Sequence, residues 1–200
     1  MKIKFKDIRK IKTYGKLNIY RINYETKNKT KRQWMMCSRD DEQTFKEDYL
    51  KGSNKINGII IVAKHKELQK YVILREYRVA VNKIIYNFPS GILEKNESIE
   101  ECVRRELKEE TNLDLLKIEN NNIKSRYSLV GMSNEKIAIV YCECTGIPYK
   151  EMEGNNEEGF IEMISYDNIP DILKELNITN TTSLILENIL LKNIINKYLK

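Results

Sequence analysis

Three glutamates with side chains capable of metal chemistry lie close together near the middle of the chain: Glu106, Glu109 and Glu110. In a helix, the i, i+3 and i+4 spacing places all three carboxylates on one face within a few ångströms. Like charges at that separation repel, so a cation is expected among them. Oxygen ligands at this density suit Mg²⁺ or Mn²⁺, which share their remaining positions with waters and phosphate oxygens. The spacing therefore indicates metal-assisted phosphate chemistry.

A solvated helix rich in Lys and Glu would show the same spacing, so the flanking residues decide between the two interpretations. The segment from Gly91 to Leu113 matches the Nudix box, G-x5-E-x7-R-E-U-x-E-E-x-G-U with U aliphatic, at eight of nine specified positions. The departure is Asn112, which replaces the last glycine at the expected helix C-cap, where Asn also adopts the left-handed backbone. The chain is thus similar to Nudix hydrolases. The matching residues are Gly91, Glu97, Arg105, Glu106, Leu107, Glu109, Glu110 and Leu113.

Outside the box the chain resembles one branch of that family, the ADP-ribose pyrophosphatases. Tyr71–Arg78 is similar to the branch's strand ending in Q-Y-R, and Asn87–Gly91 is similar to its E-L-P-A-G. Val130–Glu135 resembles its S-P-G-x-S-x-E loop, with valine where proline is usual. Sugar-nucleotide hydrolases share several of these motifs. A sugar nucleotide therefore remains an alternative substrate, and the basic N-terminus keeps a capped RNA end as another. ADP-ribose binding without turnover is a third interpretation.

The resemblance implies a metal role for the residues of the box. Glu106 and Glu110 would be the main ligands of Mg²⁺, with Mn²⁺ as the alternative ion. Glu109 would ligate or support a second ion, and the Ser90 carbonyl would complete one site. Arg105 would hold the box carboxylates by charge-assisted contacts.

The resemblance also implies supporting and substrate-binding residues. Glu97 would brace the loop of the box, and Gly91 would let the backbone turn close to the metal. Arg78 would bind phosphate or ribose, with a surface salt bridge as the alternative explanation of an arginine there. The residues expected to contact substrate are Arg78, Arg75, Gly131, Met132 and Glu135.

The implied reaction is attack of water on a pyrophosphate phosphorus, releasing AMP and ribose 5-phosphate from ADP-ribose. In this branch a carboxylate outside the box usually takes the proton, from the loop before the last strand. That loop is acidic here, and the position favours Glu157 or Glu158. An exposed acidic loop without catalytic function fits almost as well, in which case Glu109 is the next candidate for the base.

Hydrophobic periodicity predicts the elements that must hold these residues. Residues 98–110 follow the helical period, and Ser98 with Glu101 fits a capping box at their start. The period also predicts an amphipathic helix over 182–199. Together with the resemblance, these elements imply an α+β fold of the α/β/α sandwich type, with a mixed sheet between helices. Strands are predicted at 17–24, 33–39, 58–63, 71–77, 84–88, 137–144 and 160–165.

The N-terminal strands are expected to form a small antiparallel β domain over residues 1–52, followed by the hydrolase domain over 53–200. Residues 40–57 are polar and end near Gly52, so they read as a linker. Trp34, Met35 and Met36 form an apolar group in a segment too short for a core of its own, which predicts a homodimer.

Composition limits the other possibilities. Of 200 residues, 41% are hydrophobic and 32% charged, which is enough apolar material for one sizeable core. The longest apolar run, Ile59–Ala63, falls far short of the roughly 20 residues that span a bilayer. No apolar segment follows the basic first residues, so a secretory signal is not expected and the predicted compartment is the cytoplasm.

Charge and side-chain chemistry narrow the function further. Residues 1–39 hold thirteen Lys and Arg against two Asp and Glu, an excess of +11, so the rest of the chain carries −5 of the net +6. The body is acidic, and nucleic acid is not the expected partner. The four cysteines lack metal-site spacing and read as free thiols. His65 is the one histidine, placed on an apparent turn, so a Ser/His/Asp mechanism is nearly excluded.

Overall fold

The computed structural model describes residues 4–119, 123–151 and 158–198, and the chain forms two compact units. The first unit consists of Met1–Asn57 together with Lys124–Ala138. The second consists of Gly58–Ile123 and Ile139–Lys200. The N-terminal unit thus recruits a second stretch of chain far along the sequence, which the predicted boundary after residue 52 did not include.

The first unit is built on a three-stranded antiparallel sheet. Its strands are β1 (Lys4–Tyr14), β2 (Leu17–Glu25) and β3 (Lys31–Ser38), with β2 in the centre. The sequence predicted β2 and β3 but not β1. The reason is composition: β1 is rich in exposed lysine and arginine, and its main apolar contribution to the core is the buried Ile8.

Residues 40–57 are not the continuous linker expected from their polarity. Glu42–Lys51 form helix α1, and the carboxylate of Asp41 caps it by accepting from the backbone N–H groups of Gln43 and Thr44 at 2.9 and 3.0 Å. Most of the helix surface is polar, and Phe45 is its buried residue. Phe45 packs on Tyr20 with ring centroids 4.5 Å apart, and that contact secures the helix on the sheet.

The second segment of the first unit contains β9 (Arg126–Tyr127) and the start of β10 (Lys136–Thr145). Lys136 is buried, and its Nζ donates to both carboxylate oxygens of Asp48 at 2.8 and 3.2 Å and to the Ser53 carbonyl at 3.0 Å. This ion pair ties residues 88 positions apart in the chain.

The second unit contains a larger sheet. Besides β10, it contains β4 (Gly58–His65), β5 (Tyr71–Arg78), β6 (Lys83–Asn87), β7 (Ser90–Ile92), β8 (Asp114–Ile118) and β11 (Gly159–Ile164). The strand order is β11, β5, β4, β10 and β8, with β6 paired to β5 and β7 paired to β4. Along β10, Ala138, Val140, Cys142 and Cys144 are buried in alternation, which confirms the predicted core strand.

Three helices complete the second unit: α2 (Ile99–Thr111), α3 (Ile169–Ile172) and α4 (Asn180–Tyr198). Its core groups side chains from the sheet with α3 and the buried side of α4, including Phe88, Ile73 and Leu186. The predicted α+β class, with a mixed sheet, helices and a small N-terminal antiparallel sheet, is confirmed. Within the described ranges, every helix is too short or too polar to cross a membrane.

The prediction for the cysteines is confirmed, whereas the prediction for His65 is wrong. The cysteines are free as expected, and Cys102, Cys142 and Cys144 are buried. His65, in contrast, does not lie on a turn but ends β4, where it is buried with Nε2 2.9 Å from the Gly146 carbonyl oxygen. It takes no part in the acidic cluster described below.

Candidate active site

Helix α2 carries the acidic cluster, and local sequence fixes both of its ends. The Ser98 hydroxyl accepts from the Glu101 N–H at 3.2 Å, and the Glu101 carboxylate accepts from the Ser98 N–H at 2.8 Å. This confirms the capping box. Asn112 ends the helix with φ at 62°, the left-handed conformation expected there. Val103 and Leu107 are buried in the core and Glu110 is buried on the same side of the helix, whereas Glu106 is half-buried and Glu109 is exposed.

Arg105 is the centre of the cluster. Its Nε and Nη2 donate to the two carboxylate oxygens of Glu97 at 2.8 and 3.0 Å. Its Nη1 donates to Glu106 at 2.7 Å and to Glu109 at 3.3 Å. One guanidinium therefore orients three carboxylates, and the bidentate contact with Glu97 belongs to the strongest class of hydrogen bond.

Glu97 closes the loop that leads into the helix. Besides its contacts with Arg105, it accepts from the backbone N–H of Glu94 at 2.8 Å. The Arg105 guanidinium holds the pKa of Glu97 far below its ordinary 4.5, at about 2. The carboxylate is therefore ionised throughout the physiological pH range.

Gly91 lies against the cluster from strand β7. A Cβ atom built at this position would be 1.9 Å from Oε1 of Glu106, so no larger residue fits without moving that carboxylate. The absence of a side chain lets Glu106 approach the backbone of β7 closely.

Glu110 is 8% exposed, and its carboxylate is held by Ser90, the residue before Gly91 on β7. The backbone N–H of Ser90 donates to its Oε2 at 3.1 Å. Strand β7 thus meets two carboxylates of α2, at Gly91 and at Ser90. A ligand role for the Ser90 carbonyl stays a prediction.

The chemistry of this donor set fits a hard divalent cation. Three carboxylates, those of Glu97, Glu106 and Glu109, contact the Arg105 guanidinium, and a fourth, Glu110, accepts from Ser90. All of these side-chain ligand atoms are oxygens, which Mg²⁺ and Mn²⁺ prefer. In the part of the chain that the structure describes, no three His, Cys, Asp or Glu side chains already converge on one point.

Strand β5 supplies the two arginines expected at the substrate. Arg78 pairs through Nη2 with Glu76 at 2.5 Å. Arg75 pairs with Glu162 of β11 at 3.2 Å, and its guanidinium lies 5.2 Å from the ring centroid of Tyr86. Each arginine is therefore held by an acidic partner, and contact with substrate stays a prediction for both.

Comparison with known proteins places the chain in a family. The NUDIX domain model matches residues 56–178, more than half of the sequence. The chain belongs to the Nudix family. The match begins close to the second unit and includes the whole of α2.

Two solved structures resemble this Nudix protein. One, described as an ADP compounds hydrolase, matches with a TM-score of 0.68 and 18% identity, covering 96% of this chain and 96% of that chain. The other comes from work on MutT of the fish pathogen Aliivibrio salmonicida and of Vibrio cholerae. It matches with a TM-score of 0.50 and 13% identity, covering 68% of this chain and 98% of that one. At these identities the likeness supports the fold alone.

Of the two candidate bases of the Nudix protein, the structure describes Glu158. Glu157 lies outside the described residues. Glu158 is exposed, and its backbone carbonyl accepts from the N–H of Tyr77 at 2.8 Å. This contact places Glu158 beside the end of β5, next to the residue that precedes Arg78.

The remaining predicted substrate residues belong to the other unit. The Met132 carbonyl accepts from the Cys37 N–H at 2.8 Å, and Glu135 pairs with Arg39 at 3.5 Å. Gly131 has open space where a side chain would be. A substrate role for Gly131, Met132 and Glu135 stays a prediction.

Sequence reasoning missed Glu76 and Asn87 of the Nudix domain. Glu76 is buried on β5, and the Asn87 side-chain amide donates to its Oε1 at 2.9 Å. The available signal was the alternation along β5, which places Glu76 on the same face as the apolar Val72 and Leu74, where a charged residue requires a partner.

Proposed function

We propose that this Nudix protein is a divalent-metal-dependent hydrolase that cleaves the pyrophosphate of ADP-ribose to AMP and ribose 5-phosphate. The observation that carries the proposal is the cluster on α2, in which Arg105 orients Glu97, Glu106 and Glu109 while Ser90 holds Glu110. We choose ADP-ribose because a solved structure of the same fold, matched over 96% of both chains, is described as an ADP compounds hydrolase.

In this proposal Glu106 and Glu110 hold the principal cation, and Glu109 with the Ser90 carbonyl completes the ligand set. Mg²⁺ is the proposed ion, and Mn²⁺ is the alternative. When bound, such ions lower the pKa of an attacking water and neutralise charge on the leaving phosphate. Arg105 keeps the carboxylates together before the ion arrives, which reduces the cost of assembling the site.

The other proposed roles belong to β5 and to the residues that follow the loop before β11. Arg78 and Arg75 bind phosphate or ribose oxygens through charge-assisted hydrogen bonds. Glu158 accepts the proton of the attacking water, with Glu157 as the alternative. The contact between the Glu158 carbonyl and Tyr77 supports Glu158, because it keeps that residue beside the arginines of β5.

The test is a substrate panel with identification of the products. Purified protein with Mg²⁺ is incubated with ADP-ribose, a sugar nucleotide and a capped RNA, and the products are separated by chromatography and identified by mass spectrometry. We expect AMP and ribose 5-phosphate from ADP-ribose, and no turnover in excess EDTA.

The matched control is Glu110→Gln, which keeps the shape of the side chain and removes its charge. A preparation in which wild type and Glu110→Gln release AMP at the same rate would refute the proposal. Binding of ADP-ribose by wild type without any release of AMP would favour the non-catalytic alternative instead.

We also propose that the first unit mediates a homodimer. Trp34 and Met35, which are adjacent on β3, are 47% and 53% exposed, so this strand offers large apolar side chains to a partner. Light scattering should find a dimer for wild type and a monomer for the double variant Trp34→Glu/Met35→Glu. The exposed Leu176 of the second unit, changed to Glu, is the control, and a wild type that is monomeric at micromolar concentration would exclude the dimer.

A further inference from the structure

A carboxylate is buried at the end of strand β5. Glu76 is 2% exposed, and it lies on the same strand as the apolar core residues Val72, Ile73 and Leu74. Removing a carboxylate from water costs several kcal/mol unless it is paired and hydrogen-bonded. Packing alone would favour an aliphatic side chain here. The position is therefore a polar site whose contacts require a further explanation.

One side of Glu76 is anchored to helix α4 through Asn87. The Asn87 Nδ2 donates to Glu76 Oε1 at 2.9 Å. The Asn87 Oδ1 accepts from the hydroxyls of Thr182 at 3.1 Å and of Thr179 at 3.4 Å. Both ends of the amide are thus engaged, and Thr182 is itself buried at the start of α4. The network leaves Glu76 little freedom to move.

The other side of Glu76 holds Arg78. The Arg78 side chain is 44% exposed, and Glu76 is its one ion-pair partner among the residues that the structure describes. A guanidinium has five N–H donors, so this contact fixes its direction and leaves donors for an anionic ligand. The arrangement is asymmetric: the acid is buried and rigid, whereas the cation is partly open to solvent.

The same network lies close in sequence to the acidic cluster. Asn87 precedes Ser90 by three residues, and the Ser90 N–H holds Glu110. The segment from Asn87 to Ser90 therefore holds Glu76, the partner of Arg78, at one end and Glu110 of the acidic cluster at the other.

We infer that Glu76 is a positioning residue, which orients the Arg78 guanidinium for a phosphate or ribose oxygen of the substrate. Asn87, with Thr182 of α4 and Thr179 just before that helix, holds Glu76 in place for this purpose. The inference rests on the proposed hydrolase function for the role of Arg78, and it adds a residue that acts through Arg78 without touching the substrate.

The first arm of the test requires no substrate. The guanidinium Nη–Hη signals of Arg78, whose Nη2 contacts Glu76, are assigned by NMR in protein labelled with ¹⁵N-arginine, using Arg78→Lys to identify them. In wild type we expect slow solvent exchange and an ordered side chain. In Glu76→Gln we expect at least tenfold faster exchange. An unchanged signal would overturn the inference whether or not the protein hydrolyses ADP-ribose.

The second arm is a double-mutant cycle on kcat/KM with ADP-ribose. Glu76→Gln should lower kcat/KM about tenfold, mainly through KM, and should have no further effect in an Arg78→Ala background. Equal losses in both backgrounds would show that Glu76 acts independently of Arg78, which overturns the inference. The control is Glu143→Gln, which removes a cross-strand pair with Lys117 of 3.1 Å and should leave kcat/KM within twofold.

A second variant covers the case in which Glu76→Gln does not fold. Thr182→Val preserves side-chain shape but removes the hydroxyl that holds Asn87. We expect it to speed the solvent exchange of the Arg78 Nη–Hη protons two- to fivefold, and no change would contradict the anchoring network. Failure of wild type to cleave ADP-ribose would refute the proposed function, and the NMR arm would still decide the role of Glu76.

Discussion

Replacing Glu97 with glutamine tests the electrostatics of the acidic cluster. The Glu97→Gln variant would keep the size of the side chain and could still accept from Arg105, but it would lose the negative charge and the bidentate geometry. Arg105 would retain Glu106 and Glu109 as partners. The variant should therefore fold, with a lower free energy of unfolding than wild type at neutral pH.

The pKa of Glu97 sets the size of the effect. Each pKa unit corresponds to about 1.4 kcal/mol, so a fall from 4.5 to about 2 gives a ceiling of roughly 3.4 kcal/mol. The side chains of Glu97 and Arg105 are 11% and 27% exposed, so solvent screens part of this interaction. We expect the variant to lose about 2 kcal/mol of unfolding free energy at pH 7.

The sign of the pH dependence follows from the lowered pKa. The stabilisation is fully present above pH 4.5, where the carboxylate is ionised in both the folded and the unfolded chain. It is lost as the pH falls from 4.5 toward 2, because the unfolded chain takes up the proton first. The difference between wild type and Glu97→Gln should therefore shrink by more than half between pH 5.5 and about pH 3.

The assay is urea denaturation in EDTA, followed by circular dichroism at several pH values. Tryptophan fluorescence is unsuitable because Trp34 lies in the other unit. Glu100→Gln is the control: its exposed pair with Arg104 should contribute less than about 0.5 kcal/mol at any pH. A wild-type advantage that is constant between pH 5.5 and 3 would refute the assignment of this pKa to the Arg105 contact.

Three further outcomes are expected. Glu110→Gln should lower kcat on the order of 10³-fold, because several kcal/mol of metal stabilisation are lost. Steady-state kinetics with saturating Mg²⁺ checks this, and a kcat near that of wild type would show that Glu110 does not hold the metal. Glu158→Gln should lower kcat by 10²-fold or more with KM unchanged if it is the base, whereas a loss below threefold would leave Glu109 as the better candidate. In the first unit, Lys136→Ala should cost about 3–5 kcal/mol in urea denaturation because it leaves Asp48 buried and unpaired, and a loss below 1 kcal/mol would show that the pair is not desolvated.

Local sequence was sufficient for helix α2 and for what it presents. The capping box at Ser98, the left-handed Asn112 and the spacing of the glutamates all act within a few residues of one another. The period of apolar residues then decides which side of the helix meets the core. These interactions are satisfied by neighbours in the chain, so they can be read without knowing the fold.

The first unit shows where local sequence was insufficient. Residues 42–51 look like a polar linker, and they form α1 because Phe45 finds Tyr20 on a strand some twenty-five residues earlier. Strand β1 looks like a basic extension, and it is ordered by pairing with β2 along most of its length. In both cases the deciding partner is distant or belongs to another element.

The charged residues show the same contrast between what local sequence determines and what the tertiary structure decides. The sequence alone determined that Arg105 and the glutamates share one helix and one chemistry. Only the tertiary structure decided that Lys136 and Glu76 are buried, because their partners Asp48 and Asn87 come from other elements of the chain. A charge can leave water only where a partner is in place to receive it, and that partner's position depends on how the whole chain packs.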